Sequence, residues 1–195
     1  KQRSGKARER WAGYELSQIP GIAVWRQAYK QFGIKKTSYR CSVERLVKNA
    51  LADRELPAIN PFVDAYNAVS LAHVFPAGAD DLDHVTGDLA FRYARDGDSF
   101  IPLGRADEGE DPPKPGEVIY ADAEKVLCRR WNWYQDHRSP VSAATMRAVL
   151  TIQHNGEGDL DAAVEDATGL ISTWCGGRCA VAYALATSPV VEINS

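Results

Sequence analysis

INPFVDAYNAVSLAHVFPAGADDLD, residues 59–83, is the stretch that decides the fold. Asn60 is a good N-cap and Pro61 suits the first helical position, where its missing N–H costs nothing. A helix is therefore predicted from Asn60-Pro61 to about Leu71. Phe62, Val63, Ala65, Tyr66, Ala68, Val69 and Leu71 leave it little polar surface, so the helix should be buried. Asn60, Asp64 and Asn67 fall at spacings of four and three on one stripe of that helix. Buried polar groups need partners, so the stripe implies either an internal network or the lining of a pocket. The turn that follows, residues 75–88, holds Asp80, Asp81, Asp83, His84 and Asp88. Their spacing departs from an EF-hand, and a capped loop is the plainer reading.

Upstream, Ser42 reads as an N-cap before a stripe of Val43, Leu46, Val47, Ala50 and Leu51, a core-facing amphipathic helix. Another helix spans about Ile22 to Phe32. The opening KQRSGKARER, residues 1–10, combines high charge with almost no apolar anchor and reads as a mobile basic segment. Downstream, short alternating stretches predict strands at 89–94, 100–103, 118–121, 126–130 and 148–152, with a proline-rich acidic loop at 104–117. After Gly158, the positions Leu160, Val164, Ala167, Ile171 and Trp174 follow helical spacing to a stop at Gly176-Gly177, and residues 179–185 resemble a last strand. Helices first, then strands, then a helix imply an α+β fold, with residues 11–195 as a single domain.

Composition is that of an ordinary globular domain: 195 residues, 45% hydrophobic and 25% charged. No apolar run of roughly 18 residues and no signal-peptide core is present, which points to the cytoplasm and away from membranes. Four cysteines match no disulfide scaffold or four-ligand zinc pattern, so no metal or other cofactor is expected. Cys175 and Cys179 read as part of a helix-end turn. The net charge of −3 gives no overall attraction for nucleic acid, so any RNA contact must use local patches. Two exist: Lys1, Arg3, Lys6, Arg8 and Arg10, then Arg26, Lys30, Lys35, Lys36, Arg40, Arg45 and Lys48.

Phosphate-binding glycine loops, nucleophile elbows and HExxH are all absent from the sequence. None of the four histidines stands beside a serine or cysteine nucleophile. The remaining candidate is LCRRWNWYQDHRS, residues 127–139. Arg129, Arg130, Trp131, Asn132, Trp133 and Tyr134 interleave cations, rings and an amide, as a stacking platform for single-stranded nucleic acid requires. As a continuous strand, it would put Arg129, Trp131 and Trp133 on one face and Arg130, Asn132 and Tyr134 on the other.

The 59–83 stretch resembles the helix and proline-containing turn of the editing domain in the β-subunit of phenylalanyl-tRNA synthetase. The likeness extends from about Ser42 to His154. That resemblance implies a mixed, layered, partly barrel-like sheet with helices packed on it, and a pocket that hydrolyses tyrosine wrongly esterified to tRNA. By position, Asn67 matches the asparagine of the family's Thr-Asn pair and Tyr66 replaces its threonine. Trp131 to Gln135 align with a glycine-rich pocket wall. Gly78 stands where the family has a histidine, and Thr151 where a glutamate recognises the tyrosine hydroxyl. Loss of that buried partner removes the basis for tyrosine selection.

The resulting expectation is a trans-editing aminoacyl-tRNA deacylase that uses neither metal nor covalent nucleophile. Asn67 and Asn132 would be catalytic. Asn60, Asp64, Tyr66, Gly78, Arg129, Arg130, Trp131, Trp133 and Thr151 would bind substrate. The alternative is a non-catalytic module that binds tRNA or a free amino acid.

Overall fold

Asn60 caps the central helix as expected: its Oδ1 accepts the Val63 N–H at 2.9 Å, and Pro61 opens the first turn. The computed structural model describes residues 1–34 and 38–193. Lys35 and Lys36, counted in the second basic patch, lie outside the described residues. The capped helix, α4 in chain order, spans Pro61–His73 and buries Val63, Ala65, Tyr66, Val69, Ser70 and Leu71. It packs against α1 (Gln2–Arg10), α3 (Ser42–Leu51) and α5 (Leu160–Cys175). With α2 (Pro20–Gln31), α1, α3 and α4 enclose a core that includes Ile22, Trp25, Tyr29, Val43, Val47 and Leu71, while α5 packs Ala163 and Ala167 on Val69 and Phe75.

Two helix starts differ from the sequence reading. Cys41, not Ser42, is the N-cap of α3, and Ser42 is its first helical residue with Oγ buried and unbonded among the described residues. Residues 2–10, read as mobile, form α1. Its apolar anchor is one buried alanine, Ala7, and its polar anchor is the two-pronged bond from Arg3 to Asp166 on α5. Composition showed the charge but could not show that the charge has a fixed partner.

The sheets also correct an expectation. Among the described residues there is no single mixed sheet and no closed barrel: β1 (Ala77–Asp81) pairs with β6 (Ala148–Ile152), while β2 (Ala90–Tyr93), β3 (Val118–Ala121), β4 (Val126–Arg129) and β5 (Tyr134–Gln135) form a four-stranded meander. Both sheets are antiparallel: each strand of the meander pairs with the next in reversed direction, and β6 returns against β1. The α+β class itself holds. The acidic turn contains β1, an unforeseen strand. Residues 100–103 supply only a bridge from Pro102, which lacks an N–H, to Asp136. Residues 179–185 are not a sheet strand, and Val181, Tyr183 and Leu185 lie exposed.

The 129–133 run is not a continuous strand. Arg130 and Trp131 take left-handed φ values of 47° and 68°, turning the chain between β4 and β5. Simple alternation therefore ends at Arg129. Across the meander, paired positions set Phe91, Tyr120, Cys128 and Gln135 in one row. Directly opposed residues of antiparallel strands share a face, so these four side chains line the same side.

Candidate binding cleft between the sheets

The two faces of β1 serve different neighbours. Ala79 packs with Val63 and Tyr66 of α4, so by alternation Gly78 and Asp80 turn to the opposite side. Toward that side comes Gln135, whose Nε2 donates to the Ala79 carbonyl at 2.6 Å and to Asp80 Oδ1 at 3.0 Å. Ser139 Oγ also donates to Asp80 Oδ1, at 2.7 Å. These bonds hold the β1–β6 sheet against the Phe91 to Gln135 row.

Gly78 pairs with Thr151, and a Cβ added at Gly78 would meet no atom within 4 Å. The space opposite Thr151 is therefore open. Beside it runs a chain of polar groups. Thr151 Oγ1 donates to the Gly78 carbonyl at 3.3 Å and accepts from Gln153 Nε2 at 3.4 Å. Gln153 Oε1 accepts from Asn132 Nδ2 at 2.8 Å, and Asn132 Oδ1 accepts from the Tyr29 hydroxyl at 2.8 Å. Thr151, Gln153, Cys128 and Gln135 are half-buried, which leaves polar groups of both sheets within reach of a ligand.

An aromatic shelf borders the row. Phe91, 42% exposed, stacks on Tyr120 at 4.6 Å, and Trp131 lies 6.1 Å from Phe91. Behind Trp131, Trp25 contacts it edge-on at 5.3 Å, so α2 fixes the ring. Asp80, 5% exposed, is the buried carboxylate at the end of the cleft. Burial pushes its pKa up to about 6, while the bonds from Ser139 and Gln135 pull in the opposite direction.

The structure links Gly78, Thr151 and Asn132 through Gln153, sets Trp131 beside Phe91, and gives other candidates different surroundings. Tyr66 backs β1 from the α4 side, where burial, and then Asp80 and Asp64, raise its hydroxyl pKa to about 12. Asn60 caps the helix and Asp64 accepts the Ile59 N–H at 3.0 Å, so these two serve the helix start. Asn67 is half-buried, and its side chain bonds no other described residue. The Asn60, Asp64, Asn67 stripe is not one internal network.

Two arginines expected to meet substrate have structural partners instead. Arg129 is 1% exposed: Nε and Nη2 grip Glu117 at 2.8 Å each, and Nη1 reaches the Asp111 carbonyl at 2.8 Å. That fork is already filled. Arg130 contacts the rings of both Tyr39 and Trp133, at 3.8 and 4.4 Å, and the two rings meet edge-on at 4.8 Å, so Trp133 already contacts a cation of its own chain. Asn132, 5% exposed, has both amide ends engaged, which suits a positioning role rather than direct attack.

The region between the sheets also holds residues that sequence reasoning did not single out, Phe91, Tyr120, Cys128 and Gln153, and Asp80, which the sequence placed in a capped loop rather than here. Their signal is cross-strand register, which appears only once β1 is seen opposite β6 and the meander is paired.

Helices and two antiparallel sheets, with polar and aromatic side chains facing each other between the sheets, define an α+β fold. The B3/4 domain family, that of the β-subunit of phenylalanyl-tRNA synthetase, matches residues 24–176, and the chain belongs to that family. A comparison with curated proteins finds no match. Among the described residues, no helix is long and apolar enough to cross a membrane.

Proposed function

We propose that the chain admits the aminoacyl group of a charged tRNA into the inter-sheet cleft and hydrolyses the ester. The observation that carries this reading is the open space at Gly78, opposite Thr151, where polar side chains of both sheets meet beside an aromatic shelf. In this reading Gly78 provides room for the amino-acid side chain. Thr151 and Gln153 offer hydroxyl and amide contacts, oriented through Asn132 and Tyr29. Phe91 and Trp131 present ring faces to the terminal base, a sequence-tolerant contact.

An aminoacyl ester is already activated, so a positioned water assisted by the terminal ribose hydroxyl can complete hydrolysis without a strong protein base. Thr151 is too short to reproduce a carboxylate's bond to a phenol, and the preferred amino acid is therefore not tyrosine. Such a role places the protein in the cytoplasm, among charged tRNAs.

Binding without turnover is the second reading. It is favoured by the engaged state of Asn132 and Arg129, which leaves neither free to act on an ester. Labelled aminoacyl-tRNAs, incubated one amino acid at a time, distinguish the two: the first reading expects accelerated deacylation of at least one. Retention on a filter without release supports the second, and neither retention nor release defeats both.

A further inference from the structure

We propose that a basic pocket on the outer face of α2 binds a phosphodiester of the RNA strand, an inference that rests on the tRNA reading above. The helix divides its residues by period. Ile22, Trp25 and Tyr29 turn inward, while Ala23, Arg26, Gln27 and Lys30 turn outward. With Ser17, Ile34 and Arg40, the outward residues surround a cavity of about 470 Å³.

Its charge balance favours an anion. Arg26 grips Glu44 through Nε at 3.1 Å and Nη2 at 2.6 Å, and Arg40 Nε shares the same carboxylate at 3.4 Å. Glu44 is 4% exposed and thus a fixed internal counter-charge. Glu15 adds a weaker pull on Arg26. Three cations surround the cavity around one buried carboxylate, and exposed Lys30 forms no ion pair among the described residues.

The geometry is also prepared for binding. Glu44 uses Arg26 Nε and Nη2, so Nη1 retains its donors and has no bond to a described residue. A guanidinium already held in place loses little entropy when an anion arrives. Gln27 and Ser17 add neutral polar groups. A phosphate, with several acceptor oxygens, suits such a spread of donors. The chain's net charge of −3 makes a local cationic pocket the physically available route to RNA.

Position favours a phosphate on the same strand whose end enters the cleft. The inner face of α2 touches the cleft directly: Trp25 packs on Trp131, and Tyr29 donates to Asn132. The pocket is on the other side of that helix, whose diameter with side chains is about 10 Å. An RNA strand leaving the cleft over the α2 surface passes within reach of Lys30 and Arg26.

The test uses an uncharged RNA hairpin with a single-stranded 3′ end, with fluorescence anisotropy read at several salt concentrations. Lys30→Glu and Gln27→Glu change exposed positions and avoid the Glu44 network; Lys114→Glu, exposed in the acidic loop and not among the residues that line the pocket, controls for net charge. The expected result is roughly tenfold weaker binding for Lys30→Glu, a smaller loss for Gln27→Glu, and a salt slope shallower by about one for Lys30→Glu. Equal losses in Lys30→Glu and Lys114→Glu overturn the pocket, as does failure of the wild type to bind the hairpin. A 3′-aminoacyl adenosine, which has no phosphodiester, reads the cleft separately. Its binding should be unaffected by Lys30→Glu, so either site can fail while the other stands.

Discussion

Asp80 shows how one buried side chain links packing to pH. Its pKa rises from near 4 in the unfolded chain to about 6 in the fold, so its favourable contribution belongs to the protonated form. That contribution is complete below about pH 4 and is lost as pH rises through 6. Asp80→Asn keeps an oxygen for Ser139 and Gln135 but cannot ionise. The variant should exceed the wild type in stability at pH 7 by up to roughly 3 kcal/mol, at about 1.4 kcal/mol per pKa unit, with the advantage gone near pH 4. Urea unfolding at both pH values decides this; an advantage that does not change with pH contradicts it. Arg129 carries the opposite kind of burial, a charge with its partner in place. Arg129→Gln leaves Glu117 buried without its two-pronged cation and should cost about 3–5 kcal/mol, measurable by the same unfolding curves. A loss of RNA binding with stability unchanged would instead return Arg129 to a ligand-facing role.

At the scale of elements, close approach matters as much as pattern. A Cβ at Gly21 would meet the Val74 carbonyl at 2.8 Å, so α2 reaches the end of α4 only because that side chain is missing. Gly21→Ala should destabilise by about 1–3 kcal/mol despite alanine's better helix propensity, seen as a lower unfolding midpoint; a stabilised variant would show that the helices can part without penalty. Helices α2 to α5 and strands β3, β4 and β6 were legible in the sequence because their apolar periods, caps and flanking turns are local signals. β1 was not. Ala-Gly-Ala-Asp-Asp has almost no strand propensity and becomes a strand through its pairing with β6, about seventy residues away in the chain. The Arg130-Trp131 turn escaped for a related reason: two left-handed residues without glycine give no local warning. Of the residues singled out as candidates, Gly78, Thr151 and Asn132 fall along one chain of polar contacts, while Asn60, Asp64 and Arg129 have structural partners, because contacts depend on registry and burial.

The whole molecule joins a helical layer to two small, separate sheets, and the proposed cleft lies where they face each other at Gly78. Gln135 and the Asn132–Gln153 bond connect the two sides without closing the space at Gly78. Sequence could indicate the family and the α+β class, but the cleft needed the three-dimensional relation between sheets that no short window contains. Its direct test is Gly78→Val, which fits β geometry, has a Cβ that meets no atom within 4 Å and extends its methyl groups into the open space. Binding of charged and uncharged forms of the same tRNA should be compared in wild type and variant, with folding checked by thermal melting. The account predicts that the wild type prefers a charged form and that Gly78→Val abolishes the preference while retaining wild-type stability. An unchanged preference in a folded Gly78→Val protein would contradict the cleft as the aminoacyl site.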